Sequence, residues 1–425
     1  MKGLVRNSGC CSARFMKRVA MGIRQGVVML ALTSAFLVAW VAMASAQTYT
    51  VLHSFAGSPD GADPQAPVTL DTTTGNLYGV TIGGGSGCSG CGTVFEIAPA
   101  GVESVLYSFC SQPNCADGVN PIDVLLDANG NLFGTAFGGA YGYGAVFKVD
   151  PNGVEKVLHS FKGGADGENP SSGLIRDPNT GDFYGVTRNG GAYDNEGTVY
   201  KITATGTHTV LYSFGPGSGG GPAGKLVEDG NTGNLYGTQP LAGGCGLVFE
   251  LTPAGVETTF YLFGARRGDA CEPGPGDPGL VMDAQGNLFG TTVFGGTVGW
   301  GAVFELTAGG VEKVLYSFKG PKKGDGAWPQ AGLVLDESTG NLYGTTDGGG
   351  TGQCWSGCGT IFELSPPAGK HGRWRETILY SFTGGADGYI PLAGLIRDAE
   401  TGDLYGTAQG NYKKYNWGVV FKLTP

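Results

Sequence analysis

From about residue 50 onward, apolar and polar residues alternate over short stretches broken by Gly, Asn, Asp or Pro, and no stretch carries helical spacing. One phrase returns seven times: an apolar strand ending at or near Asp, a turn, then Asn/Asp, Leu/Phe, Tyr/Phe and Gly. Its aromatic positions are Tyr78, Phe133, Tyr184, Tyr236, Phe289, Tyr343 and Tyr405, spaced 55, 51, 52, 53, 54 and 62 residues apart. That period is the length of a four-stranded propeller blade. In the unit around Phe133 the pattern predicts strand A at 122–126, strand B at 131–135, strand C at 145–149 and strand D at 155–161. Asp127-Ala-Asn-Gly130 and Asp150-Pro-Asn-Gly153 form the turns.

The two ends of the array decide between a ring and an open stack. Strand D reads Val-Leu-Tyr-Ser-Phe at 105–109, 210–214 and 314–318, with close variants at 157–161, 259–263 and 378–382. A seventh copy, Val51-Leu-His-Ser-Phe55, precedes the first strand A, while the chain ends at the last strand C. The sequence therefore predicts an all-β, seven-bladed β-propeller of four-stranded antiparallel blades. The N-terminal strand (50–55) closes it by pairing with the C-terminal strand (418–423), which leaves no open sheet edge. A β-solenoid would need shorter rungs and polar caps, and neither is present.

Composition agrees: Gly 81, Pro 22 and 15% charged residues suit short strands and tight turns, and 41% hydrophobic residues suffice for a core. Residues 1–46 differ from the rest. Lys2, Arg6, Arg14, Lys17, Arg18 and Arg24 precede an apolar run from 26 to 42 and a small Ala44-Ser45-Ala46 end. This order predicts a signal peptide cleaved between Ala46 and Gln47, leaving 47–425 as a single domain in a secreted or periplasmic protein. The competing reading is a retained membrane anchor, which is the one route to a membrane. Without the six basic residues the net charge falls from -10 to near -16. A nucleic-acid partner is thereby disfavoured, and nothing in the chain specifies an oligomer beyond a monomer.

Eight cysteines follow the leader, and in an exported chain an even number predicts disulfides. Cys88 pairs locally with Cys91, Cys110 with Cys115 and Cys354 with Cys358, leaving Cys245 for Cys271. The rival for Cys88 and Cys91, half a zinc site or a redox dithiol, finds no histidine nearby in sequence.

In such a meander the A-B and C-D turns share one face, and the B-C and D-A loops share the other. A-B turns such as Asp71-Thr-Thr-Thr-Gly75 are too short and too poor in carboxylates for a calcium loop, so they read as hairpin chemistry. The D-A loops repeat Asp-Gly-x-x-Pro from Asp60, Asp117, Asp166, Asp325 and Asp387. There the Asp reads as a turn cap, with cation or sugar binding as the alternative. The B-C loops open on Gly-Gly and then vary, which is where specificity belongs. They carry Tyr141, Tyr143, Tyr193, Asp194, Asn195, Glu196, Trp300, Trp355, Tyr412, Tyr415, Asn416 and Trp417, and D-A loops add Trp328 and Tyr389. Aromatic rings beside Asp and Asn suit stacking on sugars or anchoring an envelope protein. A second reading is that several of them roof the barrel. His53 and His159 take the Tyr position of strand D and read as structural. No catalytic constellation, metal site or cofactor motif emerges. Asp194 or Glu196 with a carboxylate across the ring keeps a carbohydrate-active enzyme as an alternative, and a purely structural envelope protein is another.

The repeat itself, Gly-Asn-Leu-Tyr-Gly-Thr-Thr (340–346), then Gly-Thr-Ile-Phe-Glu-Leu (359–364) and Ile-Leu-Tyr-Ser-Phe (378–382), resembles the Gloeo/Verruco repeat of bacterial exported proteins. That resemblance covers 50–425 and implies secreted or cell-surface placement. It transfers no activity to particular residues. Members of this kind carry a choice of C-terminal anchors, whereas this sequence ends at its last strand, which predicts release or periplasmic residence.

Overall fold

A computed structural model describes residues 47–88, 90–193, 195–216, 220–240, 244–264, 270–273, 279–369, 372–410 and 417–425. Within Thr48–Pro425, seven antiparallel four-stranded meanders form a closed propeller. Blade 2 shows the plan: strand A Val119–Leu126, B Leu132–Phe137, C Ala145–Val149 and D Glu155–Ser160. Strand A starts three residues before its predicted bound, because Val119 and Pro121 join the ladder through two irregular steps opposite Phe137 and Ala136.

Blade 7 is completed by the N-terminus. Thr48–Ser54 pairs antiparallel with Val419–Thr424, with Thr50 opposite Lys422 and Val51 opposite Phe421. The Phe55 amide then donates to the Gly418 carbonyl at 2.9 Å. The predicted closure is therefore present, in the predicted register region.

What joins the blades is one aromatic step used at every seam. The Phe that ends strand D meets the aromatic of strand C in the next blade: Phe55 with Phe95, Phe109 with Phe147, Phe161 with Tyr200, Phe214 with Phe249, Phe263 with Phe304, Phe318 with Phe362 and Phe382 with Phe421. Ring centroids lie 4.9 to 5.7 Å apart with planes inclined 63° to 71°. None of the fourteen rings is more than 3% exposed. Each burial is worth about 2–3 kcal/mol, and the edge-to-face geometry adds ~1 kcal/mol.

Two glycines of the repeat exist to make room for this step. The Gly of Asn-Leu-Tyr-Gly sits directly under the strand C ring, so a Cβ on Gly134 would lie 2.6 Å from Phe147 Cζ. The Gly just before strand C holds positive φ, +104° at Gly144 and +107° at Gly418, and faces the proline of the next D-A loop. A Cβ there would lie 2.3 Å from Pro170 Cδ or Pro64 Cδ. The same contact recurs between Gly92 and Pro121, Gly197 and Pro222, Gly301 and Pro329, and Gly359 and Pro391. The innermost strands are the A strands. Asp123 of blade 2 and Lys225 of blade 4 form a 2.6 Å ion pair past blade 3, whose equivalent residues are the small Ser172 and Gly173.

Candidate functional site

The face built from B-C and D-A loops is braced by all four predicted disulfides: Cys88–Cys91, Cys110–Cys115, Cys245–Cys271 and Cys354–Cys358. Cys354–Cys358 closes a B-C loop around Trp355, whose side chain is wholly exposed at 102%. Tyr141 (57%) and Tyr193 (58%) stand out likewise on the B-C loops of blades 2 and 3.

The other described aromatics of the predicted set have partners, with Tyr143 still 40% exposed. Tyr143 lies over Gly163, Trp300 over Gly320 and Trp417 over Gly57, each within about 3.3 Å of where a Cβ would stand. Trp328 covers Gly348, meets Trp300 at 4.9 Å and donates its amide to the Trp300 carbonyl. Tyr389 is half-buried, and its amide donates to the Gln409 carbonyl. These five rings roof glycines or fill the seams. Glu196 accepts the Gly220 amide at 2.9 Å, and Asn195 Oδ1 accepts the Gly190 amide. Asp194, Tyr412, Tyr415 and Asn416 fall outside the described residues.

Two carboxyls near this roof are held toward neutrality. Burial raises Asp347 to about 8, with a single side-chain hydrogen bond from Gln330 and Oδ1 unpaired. Burial raises Asp63 to about 6, also with Oδ1 unpaired. Of the two, Asp347 is suited to donate a proton to a ligand's acceptor near neutral pH.

The Asp residues of the D-A loops cap their turns, as predicted, and do something the sequence did not disclose. Asp117 accepts the Ser111 amide at 2.9 Å and also the Tyr107 hydroxyl at 2.8 Å. Asp325 does the same with the Lys319 amide and Tyr316, as does Asp387 with the Thr383 amide and Tyr380. His53 and His159 replace that Tyr, lying 3.4 Å from Asp60 and 3.0 Å from Asp166. In the fourth unit, which lacks the Asp, Tyr212 turns to Glu257 of the next blade at 3.2 Å. The five seams with a D-A aspartate thus join a hydroxyl or imidazole from one strand D, that acid, and a residue at or near the start of the next strand D (Glu103, Glu155, His208, Glu376 or Tyr49). The triples are separated by blade-length intervals, so no local pattern announces them. The one available sign was that three of the four histidines fall at these positions.

Among the described residues, three groups bring metal-type donors within 4.8 Å of one another: His53, Asp60 and Glu103; His159, Asp166 and His208; and Cys91, Cys110 and Cys115. The cysteines are tied in disulfides and offer no thiolate. The first group borders a cavity of about 540 Å³ lined also by Ser86, Tyr107 and Ser111.

Residues 39–245 and 233–425 match the profile of the Gloeobacter/Verrucomicrobia repeat. A search of curated protein sequences matched nothing. Similar solved structures include TolB from Acinetobacter baumannii, 14% identical over 71% of this chain and 63% of that one (TM-score 0.40). Regucalcin from Agrobacterium tumefaciens, a calcium-binding protein, is 14% identical over 68% and 85% (TM-score 0.40). Puromycin hydrolase is 16% identical over 81% and 50% (TM-score 0.47). Likeness at this level carries no argument about activity.

Proposed function

We propose that this chain, which belongs to the Gloeobacter/Verrucomicrobia repeat family, is a non-enzymatic binding or scaffold propeller of the periplasm or cell exterior whose B-C/D-A face engages a glycan or an envelope protein. The observation that carries the reading is Trp355, a fully exposed indole inside a five-residue disulfide loop. A closed loop presents the indole with little ordering left to do on binding. Tyr141 and Tyr193 extend the set. Four disulfides support an oxidising compartment. The enzymatic alternative is weakened at one of its two residues, because Glu196 already accepts a backbone amide.

Glycan arrays and envelope pull-downs with the parent chain and Trp355→Ala, Tyr141→Ala and Tyr193→Ala test this. Loss of a tenfold or greater part of the signal in Trp355→Ala, with folding intact, is the expected result. Binding that survives all three changes removes this face as the binding surface.

A further inference from the structure

We propose that the seam between the closing strand and blade 1 binds one divalent transition-metal ion through His53, Asp60 and Glu103. The three residues come from the closing strand, the loop after it and the start of strand D in blade 1 (Glu103–Ser108), so the ion would staple the ring where it closes.

The repeat supplies the comparison that separates this seam from the others. Position 53 is Tyr in five of seven copies (Tyr107, Tyr212, Tyr261, Tyr316 and Tyr380), and Tyr107, Tyr316 and Tyr380 settle their loop Asp by donating a hydroxyl at 2.8 to 3.0 Å. Here the residue is an imidazole, standing back at 3.4 Å. Asp60 Oδ2 takes the Ala56 amide at 2.8 Å and Oδ1 the Gly61 amide at 2.6 Å, which fixes the carboxylate and leaves each oxygen a lone pair. Glu103 Oε1 is buried without any hydrogen-bond partner, as are Glu155 Oε1 and Glu376 Oε1 in two of the Tyr seams, so the imidazole is what sets this seam apart. An unpaired buried carboxylate oxygen, an immobilised carboxylate and an imidazole within 4.8 Å of one another are what a cation would satisfy.

The donor chemistry selects the class of ion. One imidazole and two carboxylates suit zinc or manganese rather than calcium, which takes oxygen donors. Three protein ligands leave coordination positions open, and Asp60 and Glu103 line the 540 Å³ cavity from which water or a small anion would fill them.

The second histidine seam is an internal control. His159 and His208 both contact Asp166, at 3.0 and 3.3 Å, and their rings stack at 4.1 Å with planes only 10° apart. Nitrogen lone pairs lie in the ring planes, so parallel rings aim theirs side by side rather than at one ion.

The test is zinc and manganese titration of the full, tag-free chain with its disulfides oxidised, read by equilibrium dialysis and by thermal unfolding. The expected result is one ion per chain and a raised, chelator-reversible Tm. Affinity should fall at least tenfold in Glu103→Gln and in His53→Tyr, which installs the side chain five other seams already carry and should fold. His159→Tyr should bind like the parent. The proposal is overturned if neither metal binds, or if Glu103→Gln and His53→Tyr bind as the parent does.

Discussion

Asp325, in a D-A loop, and Asp71, in an A-B turn, both cap turns and do different work. Asp325 is 6% exposed and takes the Tyr316 hydroxyl, the Lys319 amide and the Gly326 amide at 2.7 to 2.8 Å. Asp71 lies in an exposed hairpin turn, accepting the Thr73 amide and the Thr74 hydroxyl. Asp325→Ala strands buried donors and is expected to cost about 3 kcal/mol or more in urea unfolding; Asp71→Ala is expected to cost under ~1 kcal/mol. Equal costs would show that the Tyr–Asp contact contributes nothing. Asp347 adds a pH dependence. Its folded value near 8 lies above its unfolded value, so the folded state holds a proton the unfolded state has released. Stability from this group is full below about pH 4 and is lost as pH rises toward 8. Glu155 and Glu376, raised by burial to about 7, act in the same direction. His208, lowered by burial to about 4, acts oppositely below its unfolded value of 6.5. Unfolding midpoints should therefore fall from pH 6.5 to 8.5, and Asp347→Asn should flatten part of that fall. A midpoint profile identical to the parent's would contradict the protonated state. The turn role of the D-A aspartates was legible in Asp-Gly-x-x-Pro. Their bond to strand D was not, because Asp325 and Tyr316 are nine residues apart with a loop between them.

At the scale of the element, the repeated glycines are legible as a pattern while their reasons require the neighbouring blade. Gly142 and Gly144 both hold positive φ in one B-C loop, +82° and +104°. A Cβ on Gly142 meets nothing within 4 Å, whereas one on Gly144 meets Pro170 Cδ at 2.3 Å and the Ala136 carbonyl at 3.1 Å. Gly142→Ala should cost about 1 kcal/mol, from backbone conformation alone. Gly144→Ala must also displace the next blade and should cost ~3 kcal/mol or more. Thermal unfolding of the two variants separates these causes, and equal shifts would mean the proline contact is not tight. The aromatics of the same loops divide for a similar reason. Tyr141 and Tyr143 look alike in sequence, yet Tyr143 finds Gly163 beneath it and is 40% exposed, while Tyr141 is 57% exposed. Whether a ring roofs the barrel or faces solvent depends on a glycine in another loop, which alternation cannot show.

For the whole molecule, seven near-identical seams mean that no single interface dominates, and the ring holds only if the last seam is made. Blade number, strand order and the closing strand were all readable, because counting six strand D copies behind seven A-B-C sets leaves one strand to find. The positions of the seam acids and of Lys225 beside Asp123 were not, since they depend on curvature around the ring. Closure is also what brings His53 and Glu103 together, so the proposed metal site rests on it. The direct test is cysteine cross-linking of the paired residues Thr50 and Lys422, whose strands run antiparallel with these two opposite each other. Paired strand residues stand at a separation a disulfide can bridge. In the Thr50→Cys/Lys422→Cys variant, mild oxidation should give a monomer in which peptide mapping finds those two positions joined. Free thiols at both positions, or cross-links only between separate chains, would contradict a propeller closed by its own N-terminal strand.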